Sequence, residues 1–315
     1  MDLVSIAYAP GTVRNYRCQW VIFLNFAIQN CLQIFPPSVH TVVLFYTSLT
    51  TKLKSYSAFL NYQSAIKLLY QIYGYNLDTG LVQLKFLNRG AKKVLSTVPA
   101  TKAPLEPKHL VAFIQIMDSD NPFHLCFVAA VSIGFFALLR RSNICPPSTK
   151  QFDPSKHLRR SDITMDVDGV NVALNWTKTN QSHDTVFQVP IAHSHNPLLD
   201  PPQLYKTFVN RFPVLPSHPA FSFYHQNAHF VLTHRDLSVM LSQFMSAAGF
   251  STDGVTTHSI RKGGVCLLNK AGISIPALKH HGTWTSEAYK SYLHFDRFDK
   301  LSVTKKAYQH LNLSL

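Results

Sequence analysis

The sequence predicts a mainly α protein with a small antiparallel β-sheet, built as a helical N-terminal domain followed by a larger mixed domain. Three observations predict it. Apolar residues recur at helical spacing through residues 12–95. The stretch 96–107, Ser-Thr-Val-Pro-Ala-Thr-Lys-Ala-Pro-Leu-Glu-Pro, then breaks that periodicity with three prolines. Between Asp162 and Ile191 the apolar period falls from helical to alternating. The expected division is therefore a helical domain over 1–95, a linker over 96–107 and a second domain over 108–315.

The first helix carries Thr12, Tyr16, Trp20, Phe23 and Leu24, and a second follows Pro36-Pro37-Ser38. A third carries Leu60, Ile66, Leu69 and Tyr73 before Gly74; a fourth runs from Leu81 to Val94 and closes on Arg89, Lys92 and Lys93. The second domain opens with helices over about Pro107–Met117 and Pro122–Leu139. Asp166-Val167-Asp168-Gly169 and the stretch Asn180 to Asp184 read as turns between strands, with alternation in Val170 to Trp176 and in Thr185 to Ile191, which gives three antiparallel strands. Helices resume near 200–211 and 234–248, the latter with Thr233 as N-cap and Gly249 as stop. One more follows Thr257 to about Gly272, and a last one starts near Thr285 and carries Tyr292.

Composition narrows the function. Against 16 Asp and Glu stand 30 Lys and Arg, a formal charge of +14, and such an excess suits a polyanionic partner, most commonly nucleic acid. The five cysteines are scattered without a CxxC pair, which fits a reducing compartment. The histidine pairs His193/His195 and His280/His281 lack carboxylate or Cys companions at ligand spacing, so no metal site is expected. The longest apolar run, Cys126 to Leu139, falls short of the roughly 18 to 20 residues that span a bilayer. It reads as a buried core helix, and the opening residues do not read as a secretory signal.

Several polar residues stand out by type and order. Arg140 and Arg141 directly follow the apolar helix in Leu-Leu-Arg-Arg-Ser-Asn-Ile; as helix-end cations they have an ordinary explanation in the helix dipole. Lys178 falls where the second strand meets a turn, a usual place for a solvated lysine and also for a hairpin tip that reaches a groove. In Thr-Thr-His-Ser-Ile-Arg-Lys-Gly-Gly, a helix starting at Thr257 sets His258 and Arg261 on one face near its N-terminus, where an anion is favoured and an arginine fork can grip it. Trp284 and Tyr292 follow in Gly-Thr-Trp-Thr-Ser-Glu-Ala-Tyr-Lys-Ser-Tyr; each alone is a packing residue with a polar tip. Together they supply guanidinium forks, an ammonium, an imidazole and a phenol, groups able to cut a phosphodiester without metal or nucleotide cofactor.

The order Arg140, Lys178, His258-x-x-Arg261, Trp284, Tyr292 resembles that of the tyrosine recombinases, the integrase family of phages and mobile elements. The motifs span residues 107 to about 295, and their wording looks most like the DIRS and Crypton branch of eukaryotic mobile elements. The resemblance implies a helical core-binding domain before a mixed α/β catalytic domain. It also implies Tyr292 as the nucleophile that joins the 3′ phosphate, Arg140 and Arg261 on the phosphate oxygens, His258 as base, Lys178 as general acid and Trp284 as a hydrogen-bond donor to the phosphate. Double-stranded DNA would be the partner, bound by a tetramer, with no cofactor and no membrane; the location would be the nucleus in a eukaryote and the cytoplasm otherwise. Two positions depart from the family pattern: Thr283 stands directly after Gly282, where the family has His or Trp, and Asn143 stands where many members have an acidic residue. Arg141 stays open as the catalytic arginine beside Arg140, as does Thr283 beside Trp284. A silent DNA-binding descendant and a type IB topoisomerase are the alternative functions.

Overall fold

The computed structural model describes residues 7–78, 80–95, 102–177, 180, 185–293, 301 and 305. The chain forms two compact units, Met1–Ala100 and Thr101–Leu315.

In the first unit four helices are described: α1 (Pro10–Gln29), α2 (Val39–Thr50), α3 (Tyr56–Ile72) and α4 (Val82–Leu95). Serine hydroxyls start two of them, Ser38 accepting from the Thr41 amide and Ser55 from the Ala58 amide, which satisfies amides a helix N-terminus leaves without partners. The core is aromatic. Phe23 of α1 packs its edge on Phe45 of α2 and Tyr70 of α3, with centroids 5.0 and 6.0 Å away. The Trp20 indole N–H ties α1 to the Ala65 carbonyl at 2.7 Å. The inward face of α3 is Phe59, Ala65, Ile66, Leu69 and Tyr70. Of the residues the sequence suggested for that face, Leu60 and Tyr73 instead point to solvent: Phe59 takes the inward position beside Leu60, and Tyr73 is the C-cap, past the last turn of the helix. In α4, Leu84, Ala91 and Leu95 are buried while Lys85, Arg89, Lys92 and Lys93 are exposed.

The second unit is assembled around α6 (Pro122–Phe136), in which Leu125 to Phe135 are all buried. A helix apolar all round belongs in a core. Packed around it are α5 (Pro107–Ile116), α8 (Pro201–Arg211), α9 (His234–Ala247) and α10 (Thr257–Lys270). The three-stranded antiparallel sheet comprises β1 (Ile163–Met165), β2 (Gly169–Leu174) and β3 (Phe187–Ala192), in that order. Its register pairs Val170 with Ile191 and Val172 with Val189, setting apolar residues together on the core side. At the β1–β2 turn Gly169 has φ +152°, and a Cβ there would lie 2.1 Å from the Ile191 carbonyl oxygen; only glycine fits. Between α8 and α9 lies a hairpin that the sequence did not announce, β4 (Ser222–His225) and β5 (Ala228–Val231). Its turn residues, Gln226 and Asn227, take positive φ without glycine.

Residues 102–107, part of the expected linker, belong to the packed structure of the second unit. Ala103 donates its amide to Gly254, Leu105 donates to Ser259, and Leu105 is buried. Residues 96–101 of that stretch lie outside the described residues. Two further elements differ from expectation. The apolar helix ends at Phe136, three residues early, because Leu138 turns into the left-handed region at φ +51°. Tyr292 ends a 3-10 turn (Glu287–Tyr292), and a short helix α11 (Ile275–His281) precedes it. Among the described residues no helix is long and apolar enough to cross a membrane.

Two adjacent glycines set how closely α10 approaches its neighbours. A Cβ on Gly263 would stand 2.1 Å from the Leu105 carbonyl oxygen, and one on Gly264 2.1 Å from that of Phe135. Both obstacles are backbone, so they cannot rotate away. Helix propensity alone favours Gly264→Ala by about 1 kcal/mol; the clash reverses the sign, for a net loss of about 1–3 kcal/mol. Urea unfolding midpoints check this, and a stabilised variant would contradict the close packing.

Candidate active site

The four residues Arg140, His258, Arg261 and Tyr292 line one cleft of about 450 Å³. Each arrives by a different local device. The left-handed Leu138 lets the chain leave α6 sharply, so that Arg140 becomes the N-cap of α7 (Arg141–Ile144) in extended conformation. Thr256 caps α10 by accepting from the His258 amide, while the Ser259 hydroxyl accepts from the Thr256 amide. That fixes His258 and Arg261 one turn apart at the start of α10. Tyr292 is delivered by the 3-10 turn, with its own carbonyl accepting from the Cys266 thiol of α10 at 3.4 Å.

Arg261 is the best-held of these groups, at 2% exposure. Its guanidinium donates to the Leu138 carbonyl and, at 2.7 Å, to the Gly282 carbonyl. Trp284 stacks over it with the guanidinium carbon 3.9 Å from the ring centroid, a cation–π contact in a desolvated place. Room for the indole exists only because residue 282 is glycine: a Cβ there would fall 1.6 Å from a Trp284 ring carbon. Burial, then the neighbouring Arg140 charge, push the Arg261 pKa down to about 9, with Tyr292 opposing. Arg261 thus stays charged at neutral pH. Burial likewise lowers Arg140, again opposed by the charge and hydrogen bonding of Tyr292.

The phenol therefore faces both guanidinium groups. Tyr292 is 8% exposed; its ring lies 4.8 Å from that of His258 and 5.4 Å from that of Trp284. His258 keeps an exposed edge on the cleft. Partial burial, followed by the charges of Lys102, Arg261, Arg140 and Lys262, holds its pKa below the ordinary imidazole value. It is neutral at pH 7 and able to take a proton.

Trp284 lies behind Arg261 and does not line the cleft. Among the described residues its buried indole nitrogen has no hydrogen-bond partner, and neither do one terminal nitrogen of Arg140 and the Nε of Arg261. Thr283, at φ +56°, forms the buried turn that carries Trp284 there. Arg141 also lines the cleft and is exposed, but the phenol contact belongs to Arg140. Lys178 lies outside the described residues. The residues on either side of the 178–179 pair, Thr177 and Asn180, exchange backbone hydrogen bonds at 3.1 and 3.2 Å. Asn143, nearly fully buried, donates its amide to the Trp176 carbonyl at 3.0 Å. An acidic residue at 143 has no donor for that carbonyl when ionised.

Sequence reasoning missed two cleft residues. Lys102 lay within the expected linker, and His234 opens α9 with no motif around it. Burial first and the Arg141 charge second lower the His234 pKa to about 4. Lys102, Arg140, Arg141 and Arg261 thus share a cleft with two imidazoles, and no carboxylate lines it among the described residues. Such a site can hold phosphate and stabilise charge that grows on it.

No protein-family model and no curated protein sequence matches the chain. Solved structures do. A Tn1549 transposon integrase in complex with transposon right end DNA aligns at TM-score 0.58 and 16% identity, over 93% of each chain. The XerH site-specific recombinase in a post-cleavage complex with palindromic difH substrate aligns at 0.57 and 16%, over 87% of this chain and 73% of its own. A lambda integrase dimer bound to a COC′ core site aligns at 0.57 and 15%, over 93% and 91%. The chain has the fold of tyrosine recombinases and integrases, mainly helical around a small antiparallel sheet.

Proposed function

We propose that the protein is a site-specific DNA recombinase that cuts and rejoins double-stranded DNA through a 3′-phosphotyrosine intermediate. The observation that carries this reading is the meeting of Arg140, Arg261 and neutral His258 around the Tyr292 phenol, in a cleft that no carboxylate lines among the described residues. In this reading Arg140 and Arg261 hold the non-bridging oxygens of the scissile phosphate. They neutralise the charge that builds as phosphorus becomes five-coordinate. The phenol, whose ordinary pKa is about 10, loses its proton to His258 as its oxygen attacks in line. The bond from phosphorus to the 5′ oxygen breaks, and Lys178, assigned by its position in sequence, protonates that oxygen. The energy of the phosphodiester is kept in the tyrosine ester, so attack by another strand's 5′ hydroxyl reverses the step and completes exchange.

Trp284 is assigned the support of Arg261, with its indole N–H turned to phosphate when DNA seats. The first unit is assigned to DNA clamping, α4 with its exposed Lys85, Arg89, Lys92 and Lys93 being suited to phosphates. The formal +14 charge supports a DNA partner. Assembly of four copies on DNA, a mobile-element origin near the DIRS and Crypton branch, and a nuclear location in a eukaryotic host complete the proposal.

The test is incubation with a nicked suicide duplex carrying a candidate site, without added metal. Wild type should form a covalent protein–DNA adduct and Tyr292→Phe none. An adduct persisting in the Phe variant would rule out this nucleophile, and no adduct with any DNA would favour a silent DNA-binding protein. Relaxation of supercoils without exchange between two sites would favour a topoisomerase. The pH dependence has a defined sign: His258 acts only when neutral and its pKa is depressed. Adduct formation should hold down to pH about 6.5, the ordinary imidazole value, and fall only on further acidification. Loss already complete above pH 6.5 would remove His258 as the base.

A further inference from the structure

We propose that Lys102 is a further substrate-binding residue of the cleft, its ammonium holding the phosphodiester next to the one gripped by Arg140 and Arg261, on the His258 side. The inference rests on reading the cleft as a site for a DNA backbone. Lys102 lines that cleft together with Thr256 and His258, and its side chain is exposed there.

Its backbone is fixed against the same helix start that carries His258 and Arg261. The Lys102 carbonyl accepts from Lys262 Nζ at 2.6 Å. The Ala103 amide donates to Gly254 and the Leu105 amide to Ser259, each at 3.0 Å. Residues 102–105 are thereby sewn onto the loop and first turn of α10, and only the side chain of Lys102 remains to be ordered by a ligand. Among the described residues no carboxylate pairs with it. Of the charges that depress His258, that of Lys102 acts most strongly, ahead of Arg261, Arg140 and Lys262. Lys102 therefore joins the cleft at the start of α10, the end that carries His258.

The identity of the ligand follows from spacing. Each strand of duplex DNA repeats its charge every ~3.4 Å along the axis. A cleft of about 450 Å³ is larger than one phosphate group needs, which leaves space for a second beside the one between the guanidinium groups. An ammonium makes a point-charge contact without base information, so Lys102 adds affinity and register, and no sequence preference.

Lys102→Met keeps the backbone carbonyl that Lys262 needs and removes only the charge; Lys102→Arg keeps the charge. Binding of the full chain to a duplex is measured from low salt to 1 M. The Met variant should lose about 0.9 from the slope of log K against log salt. It should bind about fivefold more weakly at 0.15 M and converge with wild type near 1 M. The Arg variant should restore the slope. In the free protein, NMR titration should show the His258 pKa rising in the Met variant and returning in the Arg variant, with Arg140, Arg261, Lys262 and Tyr292 still facing it. An unchanged slope, or an unmoved His258, would overturn the proposal. Failure of the parent reading looks different: wild type would then form no adduct at all, whatever the residue at 102.

Discussion

Two guanidinium groups held close together in a pocket that no carboxylate lines among the described residues are the constraint on which the rest of this structure depends. Burial lowers the pKa of both Arg140 and Arg261, and for Arg261 the neighbouring Arg140 charge lowers it further. Buried charges normally carry a partner. Here the Arg261 fork finds two backbone carbonyls and a tryptophan face, the Arg140 fork finds the phenol, and one nitrogen of each has no hydrogen-bond partner among the described residues.

Much of the second unit is explained by keeping those groups in place. Helix α10 can approach α6 and residue 105 only across Gly263 and Gly264, and that approach sets the depth at which Arg261 lies. The Arg261 fork ties the end of α6 to the turn before Trp284 through the carbonyls of Leu138 and Gly282. His281 adds a second tie, its Nε2 lying 2.7 Å from the Phe136 carbonyl oxygen. A small cluster of Leu138, Val265, Leu278, Trp284, Tyr289 and Tyr292, separate from the main core, backs the site. Packing and electrostatics meet in that cluster, because its aromatic rings are also the walls against which the charges sit.

The sequence made the helices legible where apolar spacing was regular, as in α4 and α10, and made the β1–β2–β3 sheet legible through alternation around Asp166 to Gly169. It was less informative where conformation is imposed by tertiary contact. The left-handed turns at Leu138, Gln226 and Asn227 lack the glycine that would have marked them, so the end of α6 and the β4–β5 hairpin were not foreseen. At the site, Arg140, His258, Arg261 and Tyr292 were found because their order and spacing are distinctive. Lys102 and His234 were not, since a lone cation beside prolines and a lone histidine at a helix start carry no pattern. Trp284 was found as a residue, but its place behind Arg261 depends on Gly282 and on a left-handed Thr283, which only the folded chain reveals.

The central claim is that Arg140 and Arg261 act on the negative charge of a phosphate, and replacing that charge tests it most directly. Arg140→Ala and Arg261→Ala should each fail to form the tyrosine adduct on a normal suicide duplex. Each should recover it when the scissile phosphate is a neutral methylphosphonate, because less charge then develops on the oxygens. Equal failure on both substrates, with the variants folded, would contradict the account.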